Sequence, residues 1–196
     1  MTTETSVHGV GTTPTTRRPP GLSLAIPLLA GAAVAVAMGV YGRVHDPTGR
    51  PIFDLFFSGT LNLKVWFATA TMLAAIVQLL TALRIFGAVT VPRRVPSWLG
   101  DAHRLTGTLT FVLSLPVAYH CLWAIGFQDT DARVLFHSVA GCILYGAFTA
   151  KVLFVRDHDA PSWALPVAGG TLFGMFVLLW YTSSWWFFTT IGFPEF

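Results

Sequence analysis

The chain has 196 residues, of which 54% are hydrophobic and 11% charged, against about 25% charged in a soluble globular domain. A formal net charge of +3 is too small to point to nucleic acid as a partner. No Walker loop, dinucleotide fingerprint, H-E-x-x-H or G-x-S-x-G is present, so hydrolysis and nucleotide-driven work are unsupported.

Charges gather in the N-terminal tail and in short segments between stretches that are almost free of them. Crossing about 30 Å of hydrocarbon takes roughly 20 mostly apolar residues. Five stretches qualify: Gly21–Tyr41, Leu63–Phe86, His103–Phe127, Val134–Val155 and Ala164–Ile191. The expected fold is therefore all-α, an integral membrane bundle of five transmembrane helices in the lipid bilayer. Residues 1–20, rich in Thr and Pro, read as a disordered tail, and 21–196 as a single membrane domain.

Thr16-Arg17-Arg18-Pro19-Pro20 ahead of the first span resembles a twin-arginine export signal. The apolar run that follows exceeds the 7–15 residues of a signal peptide, so the span is expected to remain uncleaved. A loop follows, His45 to Asn62, broken by Pro47, Gly49 and Pro51; its apolar half, Ile52 to Phe57, suits a membrane interface. The second span ends at Arg84, and Pro92 to Pro96 form the next connection. Ser97 is placed to cap the third helix, with Asp101 in its first turns. A tight turn over Gly126–Arg133 predicts that spans three and four form an antiparallel hairpin. Trp185 to Phe188 close the fifth span as an aromatic belt, with Trp98 and Trp163 at the opposite interface. Cys121 and Cys142 read as small buried side chains, not a disulfide. Eight Lys and Arg fall on the side of the tail and four on the other, which predicts the N-terminus inside a bacterial inner membrane.

Ionisable residues within spans are costly and mark function. His103 and His120 lie in the third span, His137 opens the fourth and His158 follows it. On antiparallel helices joined by a short turn, His120 and His137 return to similar depth near the outer ends. His103 and His158 match in the same way near the inner face. Two histidines at one depth on facing helices suit bis-imidazole haem ligation. His103-x-x-x-Gly107 and His137-x-x-x-Gly141 share a pattern in which the glycine lies one turn away on the histidine's face, leaving room for a flat macrocycle. The alternative for each histidine is ordinary polar packing between helices.

His103-Arg104-x-x-Gly107, then His120, then His137-Ser138-x-x-Gly141 resembles two related groups over residues 97–160. They are the ferric-reductase-like membrane domains and the ascorbate-dependent cytochromes b. Overall length and layout also resemble a small actinobacterial membrane family. The resemblance to the two groups implies a helical bundle holding b haems between histidine pairs. In the ferric-reductase-like pattern the two ligands of one helix lie about 14 residues apart. His103 and His120 are 17 apart, about 100° off one face of a regular helix, an offset that a kink at Pro116 would reduce.

The expected function is that of a b-type haem protein moving electrons within or across the bilayer, as an oxidoreductase component. His120 and His137 are the expected iron ligands of one haem b, with His103 and His158 flanking a second if two are bound. Arg133 and Lys64 are candidate partners for haem propionates at the outer face, Arg104 and Lys151 at the inner. The donor or acceptor would be a separate protein, a quinone or a small reductant. The competing expectations are a cofactor-free accessory subunit of a membrane complex and, disfavoured by the lack of an inverted repeat, a small transporter.

Overall fold

A computed structural model describes residues 19–50, 53–91 and 94–193. Residues 1–18 of the expected tail, with Arg17 and Arg18, lie outside the described residues, as do Pro92 and Arg93.

Among the described residues the fold is all-helical. The helices are α1 (Pro20–Val44), α2 (Thr60–Ile85), α3 (Leu99–Tyr119), α4 (Ala132–Arg156), α5 (Ala164–Trp180) and the short α6 (Trp186–Thr190). A π-helical segment, His120–Ile125, prolongs α3, and a second, Tyr181–Trp185, joins α5 to α6. Five of the resulting rods are long and apolar enough to cross a membrane: Gly21–Val44, Thr60–Ile85, Leu99–Ile125, Ala132–Arg156 and Ala164–Thr190. Their outward faces carry large apolar side chains such as Leu29, Leu73 and Leu105, each more than half exposed. A hydrophobic surface that continuous suits lipid rather than water, so the protein is a multi-pass membrane protein.

Local sequence explains the helix ends. Asp131 caps α4, its carboxylate accepting from the Val134 N–H at 2.9 Å. Ser97 does not cap α3: the helix starts one residue later, with Trp98 at the cap position and no side-chain cap. Asp101 instead pairs with Arg104 on the exposed surface, which also takes Arg104 away from the interior. Trp98 and Trp163 are both exposed at the same end of the bundle.

Packing departs from the expected hairpin. Backbones approach most closely between α1 and α4, between α2 and α3, and between α4 and α5. Gly31 and Gly146 create the first contact, since a Cβ built on either would stand 2.5 Å from the other's carbonyl oxygen. With α4 drawn against α1, the consecutive helices α3 and α4 meet through long side chains. Phe111 stacks on Phe148 at 4.4 Å, and Ser114 Oγ lies 2.9 Å from the Tyr145 hydroxyl.

The 45–59 loop is tied to the end of α3. The Thr48 and Gly49 N–H groups donate to the Trp123 and Ala124 carbonyls, and Phe127 N–H donates to Gly42 O at 2.7 Å. The Gly126 N–H reaches back five residues to Cys121 O at 2.9 Å, the bond that defines the π geometry.

Candidate functional site

A cavity of about 310 Å³ opens between α3, α4, α2 and the π-helical end of α5. That is at the small end of the range for ligand pockets. Its walls are mainly apolar, and no Asp or Glu stands among the described residues lining it. Lys64 from α2, Cys121 from the π-helical end of α3, Arg133 and His137 from α4, and Thr182 line one part of it. These positions fall near the start of α2, the start of α4 and the ends of α3 and α5, so they share one end of the bundle. Ser114 and Tyr145 line the cavity deeper in.

His137 is held in a defined state. Its Nδ1 lies 2.9 Å from Thr182 Oγ1, and that hydroxyl donates its single proton to the Leu178 carbonyl at 2.7 Å. Thr182 must therefore accept, so His137 carries its proton on Nδ1 and keeps the lone pair on Nε2. A ring nitrogen fixed in this way by a neighbour is the usual support of a metal-ligating imidazole. Gly141, one turn further along α4, lines the same cavity, as the H-x-x-x-G spacing leads one to expect.

Arg133 donates from Nη1 to the Thr182 carbonyl at 2.7 Å, and its guanidinium sits 4.1 Å over the Trp186 ring. The π-helical register leaves carbonyls of this stretch outside the regular α-helical ladder, where a guanidinium can use them. Cys121 and Cys142 both line the cavity and neither forms a disulfide.

The other histidines go elsewhere. His120 is 1% exposed; its Nδ1 lies 2.8 Å from Pro116 O and its Nε2 3.1 Å from Phe53 O. The Phe53 ring meets it edge-on at 4.8 Å. His120 therefore ties the 45–59 loop to α3, and the cavity wall passes through its neighbour Cys121 instead. The expected pairing of His120 with His137 is not formed.

His103 closes a network between α2 and α3. Thr81 Oγ1 donates to Gln78 O and so accepts from His103 Nδ1, while the Gln78 amide donates to His103 Nε2, with both contacts to His103 at 2.9 Å. Gln78 Oε1 accepts from Thr106 at 2.6 Å. Every member of this network is satisfied, so both His103 nitrogens are spent. Gly107 makes room for the Gln78 amide, which a Cβ there would approach to 2.9 Å, rather than for a macrocycle. His158 sits exposed in the turn after α4, with no hydrogen bond or ring contact joining it to His103. Lys151 is half-buried on α4 and takes no part in the cavity wall.

Sequence reading missed Cys121 and Thr182. Cys121 lies 18 residues beyond His103, five full turns, and hence on His103's face of the helix. Thr182-Ser183-Ser184 is a polar run inside an otherwise apolar span, a signal available without a structure.

Residues 24–195 match the model of a family of unknown function, DUF6529. The chain belongs to DUF6529. No curated protein and no solved structure matches it. For this DUF6529 protein the likeness to ferric-reductase-like domains and ascorbate-dependent cytochromes b therefore rests on the spacing of its histidines and glycines alone.

Proposed function

We propose that this chain is a b-type haem protein of the bacterial inner membrane that carries single electrons within or across the bilayer. The observation that carries the reading is His137. Its Nε2 lone pair, set by Thr182, belongs to a side chain lining an apolar cavity that also holds Lys64 and Arg133.

The macrocycle needs an imidazole with a free nitrogen, apolar walls, and cations for two propionates; His137, the α3–α4 cavity, and Lys64 with Arg133 fit those needs. His120, His103 and His158 do not: both nitrogens of His120 face backbone carbonyls away from the cavity, both nitrogens of His103 are hydrogen-bonded, and His158 is exposed away from the cavity. The site thus supports one haem with His137 as the histidine ligand. A bis-histidine pair is unsupported by these side-chain positions.

When bound, the haem iron supplies the one-electron redox couple. The protein's part is to hold the ring against Gly141, to orient His137 through Thr182, to neutralise the propionates, and to keep water from the iron with apolar walls. The electron donor or acceptor is then a separate protein, a quinone or a small reductant.

The test is a reduced-minus-oxidised absorption spectrum of the detergent-purified protein, with pyridine haemochrome quantitation. It is run on wild type, His137→Ala and His120→Ala. The reading expects about one haem b per chain, lost in His137→Ala and kept in His120→Ala. Loss in both variants would restore the bis-histidine pair. A colourless protein from haem-replete cells would leave a cofactor-free accessory subunit as the function.

A further inference from the structure

Backbone packing closes most of the wall around the cavity. α1 lies against α4, α4 against α5, α5 against α2, and α2 against α3. On the remaining side, between α3 and the α1–α4 pair, close backbone packing among the described helices is confined to the π-helical end of α3 meeting α1. Along that side the cavity is lined by Met38 from α1, Val117 and Ala118 from α3, and Cys142 from α4. A Cβ on Gly39 would stand 3.7 Å from Cys142 Sγ, so Met38 and Cys142 lie at one level. Leu115 on α3 and Val36 and Val40 on α1 are exposed close by in the chain, as lipid-facing side chains are.

Both ends of this side are fastened. Towards the ends of α1 and α3, Phe127 N–H donates to Gly42 O, and the Thr48 and Gly49 N–H groups donate to the Trp123 and Ala124 carbonyls. Gln128 and Ser138 exchange hydrogen bonds that tie the turn after α3 to α4. Deeper in, the Ser114–Tyr145 pair and the stacked Phe111 and Phe148 rings bridge α3 to α4. Entry past the backbone bonds would strand several N–H and C=O groups at the edge of hydrocarbon, where each is costly. Entry between the two fastenings meets small side chains and Met38, whose unbranched thioether changes rotamer without moving a helix.

We propose that the cavity is filled from the bilayer, through a lateral window between α3 and the α1–α4 pair. Its ligand is then a membrane-dissolved amphiphile whose anionic end settles at Lys64 and Arg133, in a cavity with no Asp or Glu among its described lining. The inference rests on the reading above in taking this cavity as the ligand site, and it holds for haem or for another acidic amphiphile.

The experiment uses full-length apo-protein in lipid nanodiscs, with Cys121→Ser leaving Cys142 as a thiol probe inside the window. Labelling rates are compared for lipid-soluble N-cyclohexylmaleimide and a sulfonated, membrane-impermeant maleimide, each normalised to the unfolded protein. The lipid-soluble reagent should label Cys142 many-fold faster. Met38→Trp and Ala118→Leu, which obstruct the window from its two sides, should slow that labelling several-fold. Oleate or haemin added to the bilayer should protect Cys142, and protect it less in Lys64→Met. Faster labelling by the sulfonated reagent would move the entrance to the water side and overturn the window. Labelling by neither reagent, or labelling unaffected in whichever obstructing variant folds, overturns it equally. Lipid-side labelling with oleate protection in a protein that takes up no haem keeps the window and ends the haem reading. Haem uptake with water-side labelling does the reverse.

Discussion

His137 Nδ1 and Thr182 Oγ1 face each other at 2.9 Å where α4 meets the π-helical segment after α5. Because the Thr182 hydroxyl is committed to Leu178 O, this one contact decides which imidazole nitrogen can serve the cavity. Thr182→Val removes the acceptor, frees the ring to flip, and leaves a buried N–H without a partner. Losing such a supporting contact typically costs a metal site 10–100-fold in affinity. Haem titration of the apo-protein should show a loss of that size for Thr182→Val, and near-normal affinity for Thr182→Ser. An unchanged affinity in the valine variant would mean that His137 is not the ligand.

The His103–Gln78–Thr81–Thr106 network sits on a different helix pair, and the two sites should separate experimentally. Gln78→Leu strands His103 Nε2, while the Thr106 hydroxyl keeps the Ala102 carbonyl at 2.9 Å. Interhelical hydrogen bonds in membranes average about 0.6 kcal/mol, and stranded buried groups cost roughly 1–3 kcal/mol. The expected loss is about 1–3 kcal/mol of stability, read by reversible unfolding in mixed detergent and SDS. Haem content and spectrum should not change. Gly107→Ala should act in the same direction, because its Cβ would stand 2.9 Å from the Gln78 amide nitrogen. A collapsed haem spectrum in Gln78→Leu would return His103 to the set of ligands.

The five spans were legible in sequence because length and hydropathy are one-dimensional properties; the structural helices begin two to four residues earlier at most of them. Gln78 and Thr81 were legible too, as polar residues three apart in an apolar helix, suited to bonding a neighbour. What the sequence hid was the order of helices around the bundle. Gly31 and Gly146 are 115 positions apart, and nothing local says that they meet. Their contact sets α4 against α1, and α3 meets α4 through side chains such as Phe111 and Phe148. The surroundings of His120 were hidden for a similar reason, because the Phe53 carbonyl that faces its ring is 67 positions away in the chain.

Lys64 and Arg133 are expected to hold the ends of the ligand, not its iron. Lys64→Met and Arg133→Met should therefore lower haem occupancy in purified protein by several-fold while leaving the shape of the spectrum unaltered. Arg133→Met should have the larger structural effect, since it also gives up the Thr182 carbonyl and the Trp186 face. Stacking of that kind is worth about 0.5–2 kcal/mol. Arg133→Lys should recover part of the occupancy but little of the stability, because an ammonium reproduces the charge without the planar fork. A shifted Soret band in either methionine variant would place that cation on the iron side instead.

The α1–α4 contact gives the sharpest packing prediction. A Cβ on Gly146 would stand 2.5 Å from Gly31 O and 2.9 Å from Ala35 Cβ, and one on Gly31 would stand 2.5 Å from Gly146 O. These obstacles are mostly backbone, so no rotamer change relieves them and the helices must move apart. Overpacking of a tight contact costs about 1–3 kcal/mol, and each of Gly31→Ala and Gly146→Ala should lose that much. Gly169→Ala on α5 is the control: nothing lies within 4 Å of a Cβ there, and alanine's helix propensity favours it by up to about 1 kcal/mol. The double variant Gly31→Ala/Gly146→Ala should lose less than the sum of the singles, because helices separated by the first methyl accommodate the second at little added cost. Strict additivity would show that the two glycines do not share one contact.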